Sequence, residues 1–180
     1  MNNKNNKQRG FTLIDQMIAV SIAVILTGLA TPSISKILRK NQIATVYNEA
    51  LTALNYTRSL AVTTGTWASY CKSNPAGTAC ATTLSTSWSN GWLVFEDENN
   101  NGLREANERI HLQNTNFPAQ LLMSFSRNKN RITYTAEGYA VSYNGKINFC
   151  DMQNKMVKTM VISNSGRIRM ASQDELGSCK

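Results

Sequence analysis

An α+β fold, with one long N-terminal helix followed by an antiparallel β head, is what this sequence predicts. Three observations predict it. A nearly all-apolar run, FTLIDQMIAVSIAVILTGLAT, begins at Phe11 and reaches Pro32. A helical period of apolar residues continues from there to about Ala61. After Thr63-Thr64-Gly65 the apolar residues fall into short runs separated by turn residues.

Residues 1–10, MNNKNNKQRG, are polar and carry Lys4, Lys7 and Arg9. The run at 11–31 has membrane length, since about 20 apolar residues suffice to span a bilayer. Asp15 is its one acid, and a carboxylate in such a segment is costly enough to mark a functional position. The basic flank predicts a cytoplasmic N-terminus and an exported remainder. A secretory signal has a shorter apolar core followed by a small-residue cleavage site, and no such site follows here. A plain single-span anchor fits the length but not the motif at the junction.

Residues 32–63 are amphipathic. Ile34, Leu38, Ile43, Tyr47, Ala50, Leu54 and Ala61 recur near the helical period, with Lys36, Arg39, Lys40, Asn48, Glu49 and Arg58 between them. From Phe11 to about Val62 the helix runs roughly 75–80 Å at the α-helical rise. Pro32 is expected to bend it rather than end it, helped by Gly28.

The head, 64–180, is expected to open on a Ser/Thr/Ala/Gly-rich loop at 72–90. Strands are expected at 91–96, 108–112, 121–127, 131–135, 139–143, 146–150, 156–162 and 167–171. Turn signals stand between them at Asn116-Pro118, Glu137-Gly138, Asn144-Gly145 and Asn164-Gly166. Asn144-Gly145, between SY and KINF, is a two-residue hairpin signal.

Four cysteines, Cys71, Cys80, Cys150 and Cys179, all follow the apolar run. In an exported domain they predict two disulfides, and four cysteines allow three connectivities. Cys71–Cys80, pinning the SNPAGT loop, with Cys150–Cys179, tying the tail to an inner strand, is the favoured pairing. A zinc site would want CxxC-like spacing, which is absent.

The junction Gly10-Phe11-Thr12-Leu13-Ile14-Asp15, after a short basic leader, resembles the cleavage motif of type IV prepilins. GWLVFEDENNNGLREANE and the late SNSGRIRM resemble the minor pilins and pseudopilins of the FimT (GspH/FimT) family. The resemblance implies a type IV pilin-like fold, in which residues 11–31 form a transmembrane or filament-core helix and 32–63 its amphipathic half, packed on the β head. It implies cutting between Gly10 and Phe11 by a prepilin peptidase, N-methylation of Phe11, insertion in the inner membrane with a periplasmic head, and assembly with other pilin subunits into a pilus. Asp15 takes the place of the family's glutamate, which pairs with the N-terminal amine of a neighbouring subunit. Being one methylene shorter, it serves either that amine or the chain's own amine or helix N-terminus. Lys and Arg number 19 against 11 acids, a net +8; loss of the leader's three cations lowers this to about +5, a balance that permits an acidic partner.

The resemblance also carries a DNA-binding element, Gly166-Arg167-Ile168-Arg169, associated in FimT-like minor pilins with DNA uptake during natural transformation. On a strand, residues i and i+2 share a face, so Arg167 and Arg169 are expected to point outward about 7 Å apart, with Ile168 toward the core. Guanidinium groups suit phosphates. Lys146, Lys155, Lys158 and the Arg127-Lys129-Arg131 run extend the expected patch, with Ser172 and Gln173 adding hydrogen bonds. Double-stranded DNA would be bound through its phosphate backbone, without sequence preference and with salt sensitivity. The alternative is a structural minor pilin or type II secretion pseudopilin that primes filament assembly, the arginines being a solvated strand face that discourages edge-to-edge pairing.

Two further patterns stand in the sequence. Asp97-x-Asn99-x-Asn101-Gly102-x5-Glu108 matches the calcium loop of an EF-hand position by position. Its flanks read as strands, which favours an Asx-rich turn over a metal site. The single histidine, His111, lies in a strand-like run, and the chain has no nucleophile elbow, phosphate loop or paired histidines. No enzyme and no cofactor are expected. Trp67, Trp88 and Trp92 are read as mainly structural.

Overall fold

The computed structural model describes residues 10–152, 157–177 and Cys179, and for residues 27–33 and 157 the backbone alone. Most of the leader, with Lys4, Lys7 and Arg9, lies outside the described residues, as does Lys155. The chain forms two compact units, one up to Arg39 and one from Lys40. Helix α1, Leu13–Thr64, contributes to both.

The start of α1 is set by Thr12. Its N–H and hydroxyl donate to Asp15 Oδ2 at 3.0 and 2.8 Å, and the Asp15 N–H donates back to Thr12 Oγ1 at 3.3 Å. This is a reciprocal capping box, which satisfies N–H groups a helix start otherwise leaves bare. The helix continues through Pro32. It stops at Gly65, which takes φ 68°, the left-handed conformation that closes helices without steric cost. In the first unit Phe11, Leu13, Ile14, Met17, Ile18, Val20, Ile22, Val24, Ile25 and Leu26 are all exposed. Among the described residues no helix is long and apolar enough to cross a membrane; the expected span 11–31 includes residues whose side chains lie outside that set.

In the second unit α1 buries Ile43, Val46, Tyr47, Ala50, Ala53, Leu54 and Ala61, at the three- and four-residue intervals of one helix face. The antiparallel β head it covers holds two four-stranded sheets among the described residues. The first comprises β1 (Trp67–Lys72), β2 (Trp92–Asp97), β3 (Ile110–Asn114) and β5 (Arg131–Tyr134), in the order β3-β2-β1-β5. The second comprises β4 (Leu121–Phe125), β6 (Gly145–Asp151), β7 (Val157–Ile162) and β8 (Ile168–Met170), in the order β4-β6-β7-β8. All pairings are antiparallel. Trp92, Val94, Phe149, Met160 and Ile162 join the helix residues in one core. Cys71, Cys80, Leu93 and Phe95 form a smaller cluster.

Strand positions depart from the sequence reading in three places. β1 was not anticipated: Ala68 to Lys72 are all buried, and a strand covered on both sides shows no alternation to read. Residues 139–143 are not a strand. Ser142 takes φ 64°, and Ala140, fully buried, donates its N–H to Asn164 O at 3.0 Å. Asn144-Gly145 is therefore not a hairpin turn; Gly145 already pairs with Ile162 as the first residue of β6.

Candidate nucleic-acid interface

The Gly-Arg-Ile-Arg element sits at the turn between β7 and β8. Ser163 receives the Gly166 N–H on its carbonyl at 2.9 Å and donates its own N–H to Arg167 O at 3.0 Å. Gly166 holds φ 75°, and a Cβ there would run into the Gly138 carbonyl. Arg58 of α1 clamps the turn, donating from Nε to Gly138 O at 3.0 Å and from Nη2 to Ser165 O at 3.3 Å. Gly166 thus serves backbone geometry, and its Arg neighbours take their direction from that turn.

β8 is an edge strand. Its cross-strand pairs are Ile168 with Ile162, Arg169 with Val161 and Met170 with Met160. Opposed residues share a face, so Ile168 turns to the core side with Ile162, and Arg169 turns outward with Val161. Lys146 also pairs with Val161 and shares that outer face. Arg167, just before the strand, is exposed.

Arg169 already has a partner. Its Nη1 and Nη2 each donate to a different oxygen of Glu175 at 2.7 Å. This two-point pairing, with support from the Ser172 N–H and hydroxyl, holds the Glu175 carboxyl well below the usual carboxylate range. Lys146 Nζ donates to Glu175 O at 2.9 Å. Glu175 belongs to a tail laid across the outer face: Gly177 donates to Thr159 Oγ1 at 3.2 Å, Thr159 donates to Asn148 Oδ1 at 2.9 Å, and Cys179 is bonded to Cys150. The other disulfide joins Cys71 to Cys80.

Lys158 is not on this face. It pairs with Phe149 and its Nζ lies 4.9 Å from the centre of the Tyr47 ring, on the helix side of the sheet. In the run expected to extend the patch, Arg127 donates from Nε and Nη2 to Asn144 at 2.8 and 3.2 Å, and Lys129 Nζ lies 4.2 Å above the Tyr143 ring. Arg131 Nε donates to Tyr143 Oη at 3.1 Å. Among the described residues Arg127, Lys129 and Arg167 form no salt bridge with a carboxylate. The Glu175 clasp was missed in the sequence reading, though Ser172-x-x-Glu175 carries the capping-box spacing that signals it.

The loop with the calcium-binding pattern runs between strands β2 and β3, so it is no EF-hand. Asp97 accepts from the Gly102 N–H at 3.2 Å and from Ser69 Oγ at 3.0 Å. Glu108 accepts from the N–H groups of Glu98 and Glu105 at 3.2 and 2.9 Å. Asn99 and Asn101 donate to Glu105, each at 2.7 Å. Burial pushes the Glu108 carboxyl up, as do the nearby Asp97 and Glu105, and the two N–H donors oppose that shift. The four pattern residues build an Asx-rich turn, and among the described residues no group of acidic, cysteine or histidine side chains is arranged to hold a metal. His111 is packed between Tyr56 Oη, 3.1 Å from Nδ1, and Glu96, 3.4 Å from Nε2.

The model of the family described as type II transport protein GspH matches residues 47–166. No curated protein gives a significant match. Among solved structures, the type IV minor pilin FimU of Pseudomonas aeruginosa superposes in two crystal forms. One has a TM-score of 0.60 at 20% identity, covering 79% of this chain and 98% of that one. The other has a TM-score of 0.56 at 19% identity, covering 76% and 99%. The minor pseudopilin EpsH of the Vibrio cholerae type 2 secretion system gives 0.48 at 11% identity, over 76% and 98%. With the helix packed on antiparallel sheets as in the minor pilin fold, and the family model spanning most of the head, the chain belongs to the GspH/FimT family of minor pilins and pseudopilins.

Proposed function

We propose that this chain is a minor type IV pilin that binds double-stranded DNA without sequence preference for uptake in natural transformation. In this reading prepilin peptidase cuts between Gly10 and Phe11, Phe11 is N-methylated, the apolar run is held in the inner membrane, and the head is carried outward among other pilin subunits. The exposed apolar residues from Phe11 to Leu26 support the membrane and filament part. The observation that carries the DNA part is the outward display of Arg167 and Arg169 at the clamped β7–β8 turn, beside Lys146. Arg167 is ready for a phosphate; Arg169 would exchange Glu175 for one.

The test is a titration of the intact chain, in nonionic detergent, with a random-sequence duplex at two salt concentrations. Binding is expected to weaken steeply with salt, because each phosphate neutralised contributes about −0.9 to the log–log slope. It is expected to fall at least tenfold in Arg167→Gln/Arg169→Gln. Absence of binding at low salt refutes the proposal. The Arg169–Glu175 pair favours one competing reading, a structural pseudopilin that primes assembly, in which the arginine serves to hold the tail.

A further inference from the structure

The register of the second sheet gathers cations that lie far apart in sequence at one of its ends. Phe125, the last residue of β4, pairs with Ile147; Gly145, the first of β6, pairs with Ile162; and Ile162, the last of β7, pairs with Ile168, the first of β8. Arg127 follows β4 by two residues and Arg167 precedes β8 by one. Three strand spacings, about 14 Å, separate these outer strands.

Two depressions flank the β7–β8 turn, one at this end of the sheet and one reaching onto its outer face at Val161. One, of about 530 Å³, is lined by Arg127, Lys129, Ser142 and Asn164. The other, of about 410 Å³, is lined by Ser163, Arg167 and Arg169. Arg127 is held by Asn144 and Lys129 by the Tyr143 ring, neutral partners that orient the cations without cancelling their charge. Ser142 adopts φ 64°, a strained backbone for a residue with a side chain, of the kind found at binding sites.

We infer that Arg127 and Lys129 form a second phosphate-binding arm, so that a DNA backbone held by Arg167 and Arg169 continues across the end of the sheet, past Asn164, to Lys129 and Arg127. This rests on the DNA-binding reading above. Lys158, on the opposite face, has no part in it.

The experiment compares four forms of the intact chain in nonionic detergent: wild type, Arg167→Gln, Arg127→Gln/Lys129→Gln and Val141→Asp. Val141 lines the first depression and is 59% exposed, so an aspartate there adds a repelling charge without removing a packed side chain. Duplex affinity is measured against salt, with circular dichroism melting as the folding control. The double variant is expected to bind about tenfold more weakly and to lower the log–log salt slope by about two. Val141→Asp is expected to weaken binding several-fold with its melt unchanged. Wild-type binding that Arg167→Gln weakens while the double variant and Val141→Asp leave it within twofold overturns the second arm and spares the DNA reading. A wild type that binds no DNA overturns both.

Discussion

Gly166 shows how one residue sets the candidate site. Its positive φ costs a side chain about 1 kcal/mol or more, and the Gly138 carbonyl occupies the place a Cβ would take. Gly166→Ala is therefore expected to lower unfolding stability by about 1–3 kcal/mol, measured by denaturant titration, and to weaken DNA binding by misdirecting Arg167. Unchanged stability would mean that the turn adapts freely. The shared direction of Arg167 and Arg169 was legible from their spacing, because alternation on a strand depends only on the extended backbone. The commitment of Arg169 to Glu175 was not, since five intervening residues must turn back through Ser172 to bring the carboxylate within reach. Asp15 presents the opposite case. Its partner is three residues away, so the helix-N-terminus role, one of the partners the sequence left open, needs only local structure.

At the scale of elements, the long helix and the positions of β2, β4, β6 and β7 were close to readable, because each places apolar residues at its own period. β1 was invisible for want of alternation, and 139–143 misled because an apolar-rich run there supplies a buried Ala140 to a loop rather than a ladder. Lys158 was misassigned for a related reason: in β7 the face of a residue follows from its register with β6, and Phe149 opposite it lies in the core. The tail is an element held by covalent means. Loop-closure entropy assigns the Cys150–Cys179 bridge, with its separation of 29 residues, about 3.6 kcal/mol, and Cys71–Cys80, with 9, about 2.6 kcal/mol. Cys150→Ser/Cys179→Ser is expected to lose more stability than Cys71→Ser/Cys80→Ser, and to raise hydrogen exchange at Thr159 and Gly177 while sparing β1. Equal losses, or exchange spread evenly over the head, would refute the strap role of the tail.

At the scale of the whole molecule, the junction and the head make separate demands. If the first unit is a cleaved pilin segment, Gly10→Val, which adds side-chain bulk where a peptidase must approach the backbone, is expected to leave an uncut precursor in the membrane fraction, seen as a slower band on a gel. A normally cut band would remove the prepilin reading while leaving the head's fold intact. What the sequence by itself determined is what depends on local pattern: the long helix and where it ends, the antiparallel character of the head, and the cleavage-like junction; of the three cysteine pairings it allowed, the structure has the one it favoured. What only the tertiary structure decided is which cations share a surface. Strand order places β4 and β8 at opposite edges of one sheet and brings their ends level. Charge adjacency is therefore set by register between distant segments, and no local period in the chain encodes it.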